Sequence, residues 1–532
     1  MSVALLALLL SAEVLVRVDT SKDRRPISPY VYGYNAASAA SAPPGATFLR
    51  LGGNRFTAYN WASNYSNAGS DYGPYHNDTY LGDPAKGPGF AVVSAIADAR
   101  ARGLGLLVTI PIQGWVSRDE SGNVDPKAPR AVHFARNEPR RGAPFTLAPD
   151  REGEVVYQDE FANFCAKRWG EGGTPIAFSL DNEPDLWAYT HAEIQREPIT
   201  YAALMAKSLE AAAAIKDAVP SSLVFGPASY GFNGFVNLQN APDARGRDFL
   251  DFYLKEMRAA SRGRRLLDVL DVHFYSEAQG CGVRVTGTGP AGGDCAAAAR
   301  MQAPRSLWDP SYRESSWITR CCTGRAGIEL IPRLRKKIAA HFPGTRLAVT
   351  EYNPGGADQI SGAIAQADTL GIFGREGVFA ASYWPMGVDN RWAWAAWRAF
   401  RGYDGAGRNF GETSVAATST DAVHVAAYAS VDASAPGRVV LVLVHRPATV
   451  DDRTGEPIAA EAPRARTVEI AVANAGALTA RIWQLGPGAS PEWKALPAAA
   501  PRDSTLSLVL PPLTVTTVEL SPVASPAVAK PR

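Results

Sequence analysis

The segment Ser179-Leu180-Asp181-Asn182-Glu183-Pro184 carries an apolar strand straight into polar residues and stops it at a proline, which puts Glu183 at the strand's C-terminal mouth. Glu351 follows a second such run, Arg346-Leu347-Ala348-Val349-Thr350, and precedes Tyr352 and Asn353. Either carboxylate alone would most simply cap a helix or pair with a cation. Two at the same end of one sheet can cleave a glycosidic bond: one protonates the departing sugar oxygen while the other, ionised, attacks the anomeric carbon or activates water. Asn182 adds an amide able to donate to a sugar 2-hydroxyl. Glu183 must then stay protonated near neutral pH, its pKa raised towards ~6 by poor solvation and by negative charge, which Glu351 is expected to supply. His273 and Tyr275, just beyond the run Val269 to Val272, are expected to hydrogen-bond Glu351 and aim its attacking oxygen. A satisfied interior histidine is the competing reading of His273.

The elements that must hold these residues follow from periodicity. Short β-rich runs at Thr47 to Leu51, Gly105 to Ile110, Ile176 to Leu180, Leu223 to Gly226, Val269 to His273, Arg346 to Thr350 and Val378 to Trp384 alternate with helical stretches such as Phe90 to Arg102, Tyr201 to Ala218 and Phe249 to Ala260. About eight such units close a parallel barrel, whose function gathers on loops leaving the C-terminal strand ends. Beyond residue 411 the pattern changes to alternating runs with Gly/Pro/Asp turns, among them Val439 to Val444, Ala480 to Leu485 and Thr514 to Leu520. The fold class is therefore α/β: a (β/α)8 TIM-like barrel, 31–411, with a second, smaller all-β sandwich domain, 412–520. The segment 13–30 carries a strand that precedes the barrel and is expected to join the sandwich. Residues 1–12 read as a signal remnant or a plain apolar start, and 521–532, rich in Pro, Ala and Ser, as a disordered tail.

With 46% hydrophobic and 20% charged residues, the 532-residue chain can bury a large core. Lys+Arg 54 against Asp+Glu 52 leaves no overall field to attract nucleic acid or anionic lipid, and no run of ~20 apolar residues spans a membrane. A neutral polymer suits this balance. Flat aromatic rings in polar or Gly-rich segments are its expected platforms: Trp61 and Tyr65 among asparagines, Trp115, and Trp384, Trp392, Trp394 and Trp397 near the last strand. Trp61, Trp384 and Trp392 are favoured for the cleft, and Asn54 and Tyr230 for hydrogen bonds to sugar hydroxyls.

Cys281, Cys295, Cys321 and Cys322 crowd one Gly/Ala-rich insertion, whereas Cys165 stands apart as a buried thiol. Two disulfides joining 281 and 295 to 321 and 322 are expected, because pairing neighbours strains the backbone, and with them an oxidising, secreted location. The cysteines lack C-x-x-C spacing, and the seven histidines form neither H-x-H nor H-E-x-x-H, so no metal is expected in the reaction. Asp159 and Glu160, side by side before a helix, read either as a structural calcium site or as acids complementing the helix dipole. A monomer is expected.

Asn182-Glu183-Pro184 after one strand and Thr350-Glu351-Tyr352 after a later one resemble the fourth- and seventh-strand catalytic ends of retaining clan A glycosidases. Arg50-Leu51-Gly52-Gly53-Asn54-Arg55, the Tyr59 to Asp71 segment, Ser179 to Trp187, Leu266 to Tyr275, Leu307-Trp308-Asp309-Pro310 and Thr350 to Asn353 together resemble glycoside hydrolase family 44, in order, from about residue 12 to 520. The resemblance implies the barrel and sandwich, retaining endo-hydrolysis of β-1,4-glucans including cellulose derivatives and xyloglucan, Glu183 as acid/base and Glu351 as nucleophile. The insertion Ala278 to Gly327 departs most from that pattern. It follows a barrel strand and so bears on substrate preference. The alternatives are mannan or xylan cleavage, or transglycosylation, by the same machinery, and a carbohydrate-binding barrel without catalysis.

Overall fold

The computed structural model describes residues 13–36, 42–171, 173–287, 293–387, 389–451, 453–456, 463–499, 501 and 505–523. The signal reading of 1–12 and all of the expected tail beyond residue 523 lie outside them. Eight parallel strands close a barrel: Gly33–Asn35, Phe48–Leu51, Gly105–Ile110, Ala177–Leu180, Leu223–Ser229, Val269–His273, Arg346–Tyr352 and Ala380–Tyr383. The eighth pairs with the first through Ser382↔Gly33 and Tyr383↔Tyr34. That first strand has only three residues, too few to show a period, and the sequence did not reveal it.

Side chains two apart on a strand share a face, and this spacing builds the barrel interior in layers. Phe48, Leu107, Ala177, Phe225, Val269, Ala348 and Ala380, one from each of strands two to eight, form an apolar cluster. Two residues further on, towards the C-terminal ends, stand Arg50, Thr109, Ser179, Asp271, Thr350 and Ser382, all fully buried. Apolar packing thus closes the floor, while the layer above it is polar and hydrogen-bonded: Thr350 donates to Asp271 (2.7 Å) and Thr109 to the Leu51 carbonyl (2.8 Å).

The helices Phe90–Arg102, Tyr201–Ala218 and Phe249–Ala260 lie where their periodicity places them. Thr200 and Asp248 cap the latter two by accepting backbone N–H groups. Gly103, at φ +67, ends the first in the left-handed conformation glycine tolerates.

A ten-stranded sheet forms the β-sandwich. Within it Val14–Asp19 runs antiparallel to Thr413–Ser419 and parallel to Arg466–Val472. Val14, Val16 and Val18 bury in one core with Leu441, Leu443, Ile470, Ile482 and Val518. A buried acid joins sandwich to barrel: Asp368, on the helix Ile360–Glu376, accepts from Tyr428 (2.6 Å) and pairs with Arg446.

The disulfides differ from the expected pairing. Cys281 bonds Cys295 and Cys321 bonds its neighbour Cys322. The reason is placement: Cys281 leaves a hairpin (Gln279–Gly280 with Val283–Arg284) that packs on the helix Gly293–Gln302 carrying Cys295, at 5.8 Å between Cα atoms. Cys321 ends a separate short helix, Trp317–Cys321. Cys165 is free and buried, as its helical setting suggests. The insertion anchors on the loop and helix that follow the seventh strand and on the sandwich, with Arg300 donating to Ser361 (2.8 Å) and Gln302 to the Ala448 carbonyl (2.7 Å).

Candidate active site

The fourth strand ends at Leu180, and the next three residues are bent sharply. Asp181 and Glu183 both take positive φ, +67° and +45°, a conformation that costs a β-carbon residue about 1 kcal/mol. Local bonds hold the bend. The Asp181 carboxylate accepts the N–H groups of Ile112 (2.5 Å), Gln113 (3.1 Å) and Asn182 (2.8 Å), and the Glu183 N–H donates to the Ala228 carbonyl (3.0 Å). Pro184 then opens a short 3-10 turn, and the Trp187 indole donates back to the Asn182 carbonyl (3.2 Å). Glu183 is thereby turned over the barrel mouth.

Glu351 lies near the end of the seventh strand, where register slips between Val272↔Val349 and His273↔Glu351. Its Oε1 accepts from Arg50 Nη1 at 2.7 Å and its Oε2 from the Tyr275 hydroxyl at 2.9 Å. The buried Arg50 also donates to Asn35 (3.0 Å) and, through Nη2, to Asn182 Oδ1 (2.8 Å), which the Gly53 N–H shares (3.2 Å). Asn182 Nδ2 in turn reaches Asn54 Oδ1 at 3.4 Å, and Asn54 donates to Asp71 (2.9 Å).

His273 departs from expectation. Its Nδ1 sits 2.8 Å from Glu183 Oε1 and 3.6 Å from Glu351 Oε2, so the ring serves Glu183 first. One oxygen of each glutamate and a ring nitrogen of His273 lie within 4.8 Å of one another. Such a trio could chelate a divalent ion, but the Arg50 guanidinium already supplies the positive charge beside Glu351. Burial pushes Glu183 up to about 7, Arg50 opposing and Asp71 reinforcing the shift. The charge that helps to raise Glu183 is thus that of Asp71, known from the sequence only as a motif residue, rather than that of Glu351. Burial also pushes His273 down to about 3, so its ring is neutral at physiological pH.

The remaining residues divide. Trp384 is half-buried, with its ring edge against Gly53 beside Asn182. Tyr230 turns its hydroxyl to Gln239 (2.8 Å) and gives its N–H to Asp185, the buried acid two residues after Glu183. Trp61 and Trp392 are corrections: they are 1% and 4% exposed and present no face to a sugar. Trp61 stacks on Phe161 (5.4 Å) and bonds the Tyr157 carbonyl, because the asparagines around it face loop backbone rather than a cleft. Trp392 is the second residue of the helix Arg391–Trp397 and is buried on its inner side. Asp159 and Glu160 are engaged by donors, the N–H groups of Arg141, Gly142 and Thr146 and the Arg141 guanidinium, which is an anchoring role for the loop before them. Sequence reasoning named Arg50 and Asp71 only within motifs, gave no role to Asp185 or Asp271, and missed Asn35. An arginine inside an otherwise apolar strand, Phe48–Leu51, was the available signal.

The family model for glycoside hydrolase family 44 matches residues 59–278. Endoglucanase A of Paenibacillus lautus is 41% identical over 459 residues, covering 82% of this chain and 64% of that protein. Beta-mannanase/endoglucanase A of Caldicellulosiruptor saccharolyticus is 39% identical over 466 residues, 81% of this chain and 34% of that one. The chain thus spans about two thirds and one third of the lengths of these two relatives. A family 44 xyloglucanase from Paenibacillus polymyxa, solved with xyloglucan, superposes with a TM-score of 0.88 at 35% identity, covering 96% of this chain and 100% of the other. Likeness of that extent, over barrel and sandwich together, means that the chain belongs to glycoside hydrolase family 44.

Proposed function

We propose that the protein is a retaining endo-β-1,4-glucanase acting on β-glucans such as cellulose derivatives and xyloglucan, with Glu183 as acid/base and Glu351 as nucleophile. One observation carries this reading: oxygens of the two carboxylates, 168 residues apart in the chain, lie within 4.8 Å at one barrel mouth in unlike surroundings. Retaining enzymes hold their pair about 5–5.5 Å apart, whereas inverting ones leave ~6.5–9.5 Å for a water. Glu183, pushed up to about 7, carries the proton the leaving oxygen needs, while Glu351 is ion-paired and ready to attack.

In the first step Glu351 Oε attacks the anomeric carbon as Glu183 protonates the departing oxygen, leaving a glycosyl ester on Glu351. In the second, Glu183 takes a proton from water, which displaces Glu351 with a second inversion. Neutral His273 donates from Nδ1 to Glu183 Oε1, which leaves the other oxygen to carry the acid proton; the ring's Nε2, buried with no partner, suits this tautomer. Asn182, held by Arg50 and Gly53 through its oxygen and turned to Asn54 with one amide hydrogen, keeps the other for a sugar hydroxyl. Asn54, Tyr230 and Trp384 line the approach as binding residues.

The names of the relatives, endoglucanases and a xyloglucanase among them, support β-glucan as the substrate. The two disulfides support secretion. No described helix is long and apolar enough to cross a membrane. The test is release of reducing ends, with a fall in viscosity, from barley β-glucan, xyloglucan, carboxymethylcellulose, mannan and xylan. Activity is expected on the first three, and activity confined to mannan or xylan would overturn the assignment.

A further inference from the structure

A cavity of about 1000 Å3 opens where the helix Arg391–Trp397 and the turn after it meet the sandwich, and neither Glu183 nor Glu351 lines it. The eighth barrel strand separates it from them: Tyr383 of that strand bonds Asn353 on one side and Asn390, a cavity residue, on the other.

Its walls combine two features. Trp394 and Trp493, both partly exposed, face into it from barrel and sandwich. The Trp493 indole donates to the Ala395 carbonyl (3.0 Å) and the Trp394 ring packs on Tyr383 at 6.1 Å, so both are fixed in place and can receive the C–H face of a pyranose. Three arginines add charge. Arg391 is paired with Asp389 (3.1 Å). The guanidinium groups of Arg398 and Arg401 have neither a carboxylate nor a hydrogen-bond partner among the described residues, and the Nε of each is buried without one. Arg401 only overlies the Tyr32 ring, at 5.5 Å. Two unneutralised guanidinium forks at a cavity wall call for a planar anion, which they can grip bidentately.

We propose that this cavity is a binding site for an acidic saccharide, a uronic acid unit whose carboxylate lies on Arg398 and Arg401 and whose ring rests on the tryptophans. The site is independent of the carboxylate pair and would hold polysaccharide bearing acidic side groups beside the cleft. Its test uses the full chain with Glu183→Gln, so that nothing is turned over, titrated by calorimetry with a glucuronic acid-bearing xylo-oligosaccharide, with cellotetraose and with inorganic phosphate. The acidic oligosaccharide should bind, weaken as salt is raised, and lose affinity about tenfold or more when Arg398→Gln and Arg401→Gln are added. Cellotetraose affinity, and hydrolysis of neutral β-glucan by the wild-type chain carrying only the two arginine substitutions, should be unchanged. Arg398→Lys with Arg401→Lys, which keeps the charge, guards against misfolding and should retain part of the affinity. The proposal fails if the acidic sugar does not bind, if it binds the Gln variant as tightly, or if phosphate binds as well as the sugar does.

Discussion

Arg50 Nη1 donates to Glu351 Oε1 over 2.7 Å, from a guanidinium with no exposure to solvent at all. An unpaired buried cation is costly, so this arginine is tied to its three acceptors, Asn35, Asn182 and Glu351. It therefore sets the separation between the residue expected to attack and the amide expected to hold the sugar. Arg50→Lys keeps the charge but cannot span those acceptors. Its kcat should fall about 100-fold or more, the scale of losing one preorganised donor. Steady-state kinetics, with circular dichroism as the check on folding, decide this; an unchanged kcat would show that the network is structural only.

Glu183→Gln should lower hydrolysis of β-glucan by ~10²–10⁴-fold, the usual contribution of a general acid. It should spare the first step on a dinitrophenyl cellobioside, whose leaving group needs no proton. Glu351→Gln should abolish turnover of both. Burst kinetics on the activated substrate separate the roles, and equal losses for both variants on both substrates would contradict the assignment.

With Glu183 at about 7, the acid form is full below that value and is lost above it. The kcat/KM for β-glucan should therefore decline with a single proton limb as pH rises through 7, and this limb should be missing for the dinitrophenyl substrate. A pH profile flat to 9 would remove Glu183 from the acid role.

The polar–proline exit from the strand that ends at Leu180, and the later Thr350-Glu351-Tyr352, were legible because a strand end is written in local sequence: an apolar run, then polar residues, then a break. Trp61 was misread for the same reason turned round. Its asparagine neighbours resemble a cleft, yet Asn60 and Asn64 spend their amides on the backbone at Ser117 and Gly87. Where His273 points depends on a slipped register between two strands 76 residues apart, measured from Tyr275 to Glu351, and no local pattern records that. The cysteine pairing likewise depends on where the hairpin carrying Cys281 docks.

Asp185 is fully buried and pushed up to about 8, first by burial and then by the charge of Glu183. In the unfolded chain it titrates near ~3.9, so between those values the folded state holds a proton the unfolded state has released. Its contribution to stability is complete below ~4 and is lost as pH rises through 8. Asp185→Asn removes that slope while keeping an acceptor for the Tyr230 N–H. Thermal midpoints at pH 5, 7 and 9 should fall less in the variant than in the wild type, whereas parallel declines would contradict the shift.

The bond Cys281–Cys295 closes a loop with a sequence separation of 14, and Cys321–Cys322 closes none. A loop of ~15 residues corresponds to about 3 kcal/mol of unfolded-state entropy. Cys281→Ser with Cys295→Ser should lower the thermal midpoint by several degrees, and Cys321→Ser with Cys322→Ser should leave it nearly unchanged. Peptide mapping that found 281 or 295 joined to 321 or 322 would overturn the pairing.

Two carboxylates this close together leave no room for a water between Glu351 and the anomeric carbon, so the reaction runs by double displacement. Proton NMR during the first minutes of cellopentaose hydrolysis reads it directly. The β-anomer of the new reducing end should appear first and the α-anomer only later, by mutarotation; an α-anomer that appears first would mean a single displacement and rule the mechanism out.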